Sequence, residues 1–336
     1  MRVLQVLRVD AGLYYGGGEV QAERTREALV RQGVEVTVHG GLNRELGDIV
    51  HFFGLFDSHW EVAKYCLDQG IPYVVSPIFV TPRSQARLKW RSFRQRFIDF
   101  KFPKRQFELL KCAREIFPLT GFEQSNLTAF FGDRLPTSTR VPNGVEPRFA
   151  AGDPKLFRAK YDIKGDFVLH AATIEKSKNQ LGVIQALKGT DIQAIFLGRI
   201  HDQAYFERCK EEMGPNMRYL GTIPHDGEML PSAFKAAKVF CLSSRREILP
   251  LSAMEATIAG CQIILGSKWG GQEVWGNHAA YVDPEDPQAI RASIETAMMA
   301  PPNPAYAKEF MEKYSWDAVA KQLKDRYSNA IGMPVA

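Results

Sequence analysis

The sequence predicts an α/β protein of two domains, each built on a parallel sheet with helices on its faces. Three observations lead there. Short apolar runs of strand type alternate with stretches of helical length along the whole chain. The first such run, residues 2–7, opens into a glycine loop, Gly12-Leu-Tyr-Tyr-Gly-Gly-Gly18, and then a long helix. And 336 residues exceed one ordinary domain, which suggests two of roughly 150 residues each.

Hydrophobic residues at 45% and charged residues at 24% are ordinary globular values, so each half can bury its own core. The five cysteines are scattered, odd in number and without a Cys-x-x-Cys pair. That excludes a disulfide framework and a zinc site and points to a reducing compartment. Residues 1–7 turn polar too quickly for a signal peptide, and no apolar run approaches the roughly 18 residues of a membrane span. The expectation is a soluble, cytoplasmic chain.

In the first half, residues 2–7 and 34–38 read as strands, joined by a helix from Glu19 to about Gln32 that Gly33 ends. Strand, glycine loop, helix, strand is the opening unit of a Rossmann-like half. The glycines let the backbone approach a ligand and offer N–H groups to an anion at the helix start. A glycine turn with no ligand is the alternative. The loop is not Gly-x-Gly-x-x-Gly and no acid ends the second strand, so a nicotinamide cofactor is not expected. Residues 48–53, 72–76 and 115–119 are further strands, with helices over 61–69 and 121–131. His51 and His59 fall in this region and read as core or surface histidines.

Between Arg83 and Arg114 eleven bases face two acids, a net +9 that leaves the rest of the chain at −4 against a total of +5. Arg87, Lys89, Trp90, Arg91, Arg94 and Phe97 set rings among the cations, partly at helical spacing. Three readings stay open. The rings are buried in their own domain while arginines coat the outside, or the surface rests on anionic lipid, or it binds nucleic acid, for which no fold motif accompanies it.

Asn143-Gly144 is a turn signal that marks the exit from the first half. Strands follow at residues 166–172, 192–197, 217–220, 239–242 and 262–266, alternating with helices over 181–187, from about 204 and 228, and over 251–259, 287–298 and 304–313. The stretch 247–255, Glu-Ile-Leu-Pro-Leu-Ser-Ala-Met-Glu, is the most informative. Glu247 sits on the loop leaving a strand, and Glu255 lies about two turns away within the next helix. Loops at the carboxyl ends of parallel strands line a ligand crevice, so both acids face one cleft with helix-start N–H groups between them. Carboxylates accept from sugar hydroxyls, and such amides bind a diphosphate. A plain βα unit, with Glu247 on the surface and Glu255 capping its own helix, is the other reading of these two residues.

Two glutamates at this spacing, then Ala256-x-x-x-Gly260 and Gly270-Gly271-x-Glu273, resemble the donor-site signature of retaining GT-B glycosyltransferases of family 4 (group 1). The resemblance covers nearly the whole chain and is specific in the second half. It implies a GT-B fold, two Rossmann-like domains with parallel sheets facing a central cleft. Residues 1–147 would be the acceptor-side domain, 148–314 the nucleotide-sugar donor domain, and 315–336 a terminal helix crossing back to the first. Residues 139–149 resemble the family's interdomain stretch.

The resemblance also implies roles. Glu247 would bond the donor sugar's hydroxyls and Glu255 the ribose, while the N–H groups of Ile248, Leu249 and Leu251 would take phosphate oxygens. Gly16 and Gly17 would meet the diphosphate from the other domain, and Ile223 would touch the base through backbone groups. The segment 172–179 resembles Gly-Arg-x-x-x-x-Lys-Gly/Asn. Lys178 falls on the lysine that neutralises the leaving diphosphate, and Thr173 replaces the arginine. Arg245 or Arg246 would be the substitute charge. Ile78 follows Ser76-Pro77 where many members place a histidine facing the sugar.

The implied activity is metal-independent, retaining transfer from a UDP- or GDP-linked sugar to a saccharide or lipid-linked glycan, in cell-surface polysaccharide or glycolipid synthesis. No cofactor other than the donor substrate is implied, no metal site and no nucleic acid. The place of work would be cytoplasmic, peripheral on the inner face of a membrane. A non-catalytic nucleotide- or membrane-binding member and a nucleotide-sugar epimerase on the same architecture are the alternatives. An epimerase should expose a further acid or histidine pair beside the sugar, and the sequence offers none.

Overall fold

A computed structural model describes residues 1–12, 16–40, 45–80 and 103–332, which fall into two compact units. One comprises residues 1–144 with 316–336, and the other residues 145–315. The sequence-predicted surface of Arg87, Lys89, Trp90, Arg91, Arg94 and Phe97 lies outside the described residues.

The first unit runs β1 (Arg2–Val6), α1 (Gly17–Arg31), β2 (Glu35–Val38), β3 (Ile49–Phe53), α2 (His59–Asp68), β4 (Tyr73–Ser76), α3 (Lys104–Lys111), β5 (Glu115–Ile116) and α4 (Gly121–Phe131). Its strands pair in parallel in the order β2-β1-β3-β4-β5. Every residue of β3 is buried, as a central strand covered on both faces requires. Leu4, Val50, Phe52, Tyr73 and Val75 pack there with Leu109 and Leu110 of α3. The order switches between β1 and β3, the position at which such sheets bind ligands.

Two expectations need correction. The first helix begins at Gly17 rather than Glu19, because the Glu19 carboxylate accepts from the Gly16 N–H at 2.9 Å and draws Gly17 and Gly18 into the first turn. The fifth strand is only two residues long, because the chain leaves the ladder at Phe117, although Glu115 to Leu119 are all buried.

The second unit opens with a 3-10 turn, Pro147–Phe149, and then runs α5 (Pro154–Tyr161), β6 (Phe167–Ala171), α6 (Gln180–Leu187), β7 (Gln193–Leu197), α7 (Gln203–Glu212), β8 (Met217–Tyr219), α8 (Met229–Ala236), β9 (Val239–Leu242), α9 (Leu251–Ala259) and β10 (Gln262–Gly266). It closes with α10 (Gln272–Trp275), β11 (Ala279–Val282), α11 (Pro287–Met299) and α12 (Pro304–Tyr314). The parallel order is β11-β10-β9-β6-β7-β8, the doubly wound arrangement whose direction reverses between β6 and β9. Gly198, at φ +141°, follows β7 so closely against the loop after β6 that a Cβ would overlap the Ala172 carbonyl oxygen.

The last helix, α13 (Trp316–Gly332), belongs to the first unit. Arg326 forms a bidentate ion pair with buried Glu115, its Nε 2.9 Å from Oε2, and Arg31 donates to Asp317. Tyr327 reaches the buried face of β3, with its hydroxyl 2.6 Å from His51 Nδ1, and His51 Nε2 stands 2.8 Å from Ser76 Oγ. His51 is thus a core histidine satisfied on both ring nitrogens, and burial lowers its imidazole to about 3.

The unfolded imidazole titrates near 6.5, so between those values the folded chain binds fewer protons than the unfolded one. Its contribution is complete above about pH 6.5 and declines as pH falls toward 3. Substituting His51→Gln should therefore lower the melting temperature at neutral pH. It should also make the fall in melting temperature between about pH 7 and 5 shallower than in the wild type, which a thermal-unfolding series in those buffers reads directly.

Candidate functional site

The switch point of the second sheet assembles the site. β6 and β9 lie side by side, so the loops that leave them emerge together. After β6 the chain makes a 3-10 turn, Lys176–Lys178, and Asn179 adopts a left-handed conformation at φ +60°. Buried Asn179 holds that turn by donating to Ser243 Oγ at 3.2 Å and to the Pro284 carbonyl at 2.8 Å. The Arg245 N–H donates to the Ser177 carbonyl at 2.8 Å, so the two loops are tied backbone to backbone.

Across that tie Lys178 Nζ meets Glu247 Oε1 at 2.7 Å, and Ser244 Oγ donates to the same oxygen at 3.0 Å. Burial alone would lower the Lys178 ammonium. The charge and hydrogen bond of Glu247, with Glu175 nearby, outweigh it and hold the group above its ordinary value, so the lysine stays charged. The pair was separated by 69 residues in sequence.

Glu255 projects from the second turn of α9 and is buried. It does not cap its own helix. Its Oε1 lies 2.9 Å from His225 Nε2, in the loop after β8 that also carries half-buried Ile223. Each glutamate therefore has Oε1 engaged, while Oε2 of each takes no hydrogen bond among the described residues. The start of α9 carries no side-chain cap, since Pro250 occupies that position. Ile248 and Leu249 turn their side chains into the core just before it, and half-buried Leu251 opens the helix.

Thr173 is half-buried and its carbonyl accepts from Gln180 Nε2 at 2.9 Å. Arg245 does not supply the missing charge. Its guanidinium is bidentate to Glu285, with Nε 2.6 Å from Oε1, and it donates to the Lys176 carbonyl. Arg246 is exposed. Gly16 and Gly17 stand in the first unit at the start of α1, where the Gly16 N–H is already donated to Glu19.

Several participants went unread in the sequence. His225 lies two residues beyond Ile223. Arg148, which donates to it, and Glu146, which holds Arg148, lie within the interdomain stretch. In the first unit, Ile78 takes φ +48°, a left-handed conformation that costs a β-branched residue strain. Buried Glu123 holds the following residue, accepting from the Phe79 N–H at 2.6 Å and from the Leu119 N–H at 2.6 Å. Burial raises its carboxyl to about 7, against the pull of those two donors. Thr120-x-x-Glu123 has the capping-box pattern, which was the available signal.

Residues 155–314 match the sequence profile of a family described as glycosyl transferases group 1. The match lies within the second unit. Within 139 residues the chain is 30% identical to the D-inositol 3-phosphate glycosyltransferase of Corynebacterium urealyticum, over 38% of this chain and 32% of that one. The chain spans about a third of the length of the curated relatives it matches.

Among solved structures it is similar to sucrose-phosphate synthase from Thermosynechococcus elongatus, with a TM-score of 0.74 at 16% identity over 98% of this chain and 99% of that one. It is also similar to HepE from Anabaena, solved with UDP and glucose, with a TM-score of 0.68 at 17% identity over 98% and 100%. These likenesses establish the fold as GT-B, with two parallel-sheet Rossmann-like units. Within the matched residues the Lys178–Glu247 pair lies at the switch point.

The pair should show energetic coupling. Lys178→Met and Glu247→Gln should each destabilise the protein, and the double variant should lose less than their sum, by about 0.5–3 kcal/mol. Urea unfolding of the four proteins measures that difference.

Proposed function

We propose that this chain is a glycosyltransferase. It moves a sugar, with retention and without a metal ion, from a UDP- or GDP-linked donor to a saccharide or lipid-linked glycan. One observation carries the reading. At the switch point, two carboxylates each have one oxygen held by the protein and one left to accept, beside a charged lysine and an uncapped helix start. Hydroxyls of a sugar and a ribose suit the two acceptors, and a diphosphate suits the lysine and the amides of Ile248, Leu249 and Leu251.

The bond between the sugar's anomeric carbon and the diphosphate oxygen breaks, and the bond to the acceptor oxygen forms on the same face. The acceptor's proton passes to the departing phosphate. Lys178 offsets the charge that develops there, which is the main electrostatic contribution such a site can make. Thr173 adds no charge, and Arg245 is committed to Glu285, so Lys178 acts without the second cation of the family pattern. That observation favours a second reading, a nucleotide-binding protein with weak transfer or none. In the leading reading the chain works in the cytoplasm against a membrane, met by the basic segment with its interleaved rings.

Thermal stabilisation by UDP, GDP, ADP and NAD without added metal tests the donor site by mass action. One diphosphate should raise the melting temperature and NAD should not. No shift with any of them would overturn the reading. With the sugar of the diphosphate that binds, Glu247→Ala should lower transfer about a hundredfold or more. Binding without measurable transfer in the wild type would select the second reading.

A further inference from the structure

We infer that His225 is a positioning residue for nucleotide recognition. It fixes Glu255 so that the remaining carboxylate oxygen meets a ribose hydroxyl, and it is itself fixed by Arg148 and Glu146. The inference rests on the nucleotide-sugar reading above and assigns that site a part of its specificity.

The contacts determine the direction of each bond. Arg148 Nη2 lies 3.1 Å from His225 Nδ1, and a guanidinium can only donate. Nδ1 is therefore the acceptor, the proton of the neutral ring is on Nε2, and Nε2 donates to Glu255 Oε1 at 2.9 Å. Arg148 has little freedom to leave. Glu146 accepts from its Nε at 3.0 Å and its Nη2 at 3.1 Å, the Gly227 carbonyl accepts from Nη1 at 3.2 Å, and the guanidinium lies 4.6 Å from the centre of the Phe149 ring. The Phe149 ring in turn lies 5.7 Å from that of His225. Four residues from the 3-10 turn and its approach, the loop after β8 and α9 thus form one chain, Glu146–Arg148–His225–Glu255, within the second unit.

A buried carboxylate held at one oxygen has its second oxygen aimed, because rotation about the last side-chain bond would break the hydrogen bond. Without the imidazole, Glu255 is a buried anion with no donor, and it turns, takes in water or gains a proton. Recognition of the ribose would be lost selectively. Contacts to the base and the diphosphate do not pass through Glu255, so a nucleotide without ribose hydroxyls should not sense the change.

The experiment compares the affinity of a nucleoside diphosphate, UDP or GDP, with that of its 2′,3′-dideoxy analogue by calorimetry. The proteins are wild type, His225→Ala, His225→Gln and Arg148→Met. Wild type should prefer the ribonucleotide about tenfold or more. In His225→Ala the preference should shrink to about twofold or less, through weaker ribonucleotide binding alone. His225→Gln, which retains a donor, should restore most of it. Arg148→Met, which removes the group that sets the tautomer, should fall between.

General damage to the fold would weaken both ligands alike, so the ratio separates positioning from structure. A ratio unchanged in His225→Ala, or tighter ribonucleotide binding there, would overturn the inference while leaving the donor reading intact. Should His225→Ala not fold, an unchanged ratio in Arg148→Met overturns it equally. Failure of wild type to bind either diphosphate would overturn the donor reading and this inference together.

Discussion

The site depends on one constraint, the parallel pairing of β6 with β9 at the point where the second sheet reverses its winding. Val168 pairs with Val239 and Leu169 with Phe240, and from this pair the later strands are added outward on opposite sides, β7 and β8 beyond β6 and β10 and β11 beyond β9. No helix crosses between the two carboxyl ends there, so the loops that leave them are neighbours with a crevice above. Lys178 and Glu247 meet because of this, and the hydrogen bond from Arg245 N–H to the Ser177 carbonyl locks the encounter. A charged lysine beside a mostly buried glutamate is costly to assemble unless both are fixed. Here Asn179 and Ser244 fix them, through a left-handed turn on one side and a hydroxyl on the other.

Both glutamates follow the same arrangement. In each, a protein donor takes Oε1, and Oε2 has no partner among the described residues. Such half-satisfied acceptors cost stability in the absence of a ligand and become useful when hydroxyl groups arrive. Both are held in one orientation, and a preoriented acceptor loses less entropy on binding. The glutamates differ in what lies behind them. Glu247 pairs with a charged lysine, whereas Glu255 answers to an imidazole and, through it, to a guanidinium anchored at the start of the unit.

The first unit is finished by the end of the chain. β3 buries His51, and the hydroxyl of Tyr327 from α13 supplies the partner that a buried imidazole needs. Glu115 is likewise matched by Arg326. Without α13, His51 would keep only Ser76 and Glu115 only Thr139, so the last helix is part of this core although more than 170 residues separate it from the rest. Glu123 performs a comparable service for the strained backbone at Ile78. By accepting from Phe79 N–H and from Leu119 N–H, its carboxylate ties the turn after β4 to the loop after β5, next to a conformation that a β-branched residue does not favour.

The sequence by itself determined most of the succession of strands and helices, because the central parallel strands are short apolar runs; it left unread the partly exposed edge strand β11 and the short helices α3 and α5. It also offered Glu247 and Glu255 as site candidates, since their spacing along one βα unit is a local pattern, and Lys178 through the resemblance of residues 172–179 to a family stretch. Tertiary structure alone decided which charges meet. That Lys178 pairs with Glu247 while Arg245 turns to Glu285 depends on side-chain reach across loops 69 and 40 residues apart. The partners of Glu255 and His51 are of the same kind. A histidine 30 residues away and a tyrosine 276 residues away leave no periodic trace, because a hydrogen bond depends on distance in space and the chain encodes only order.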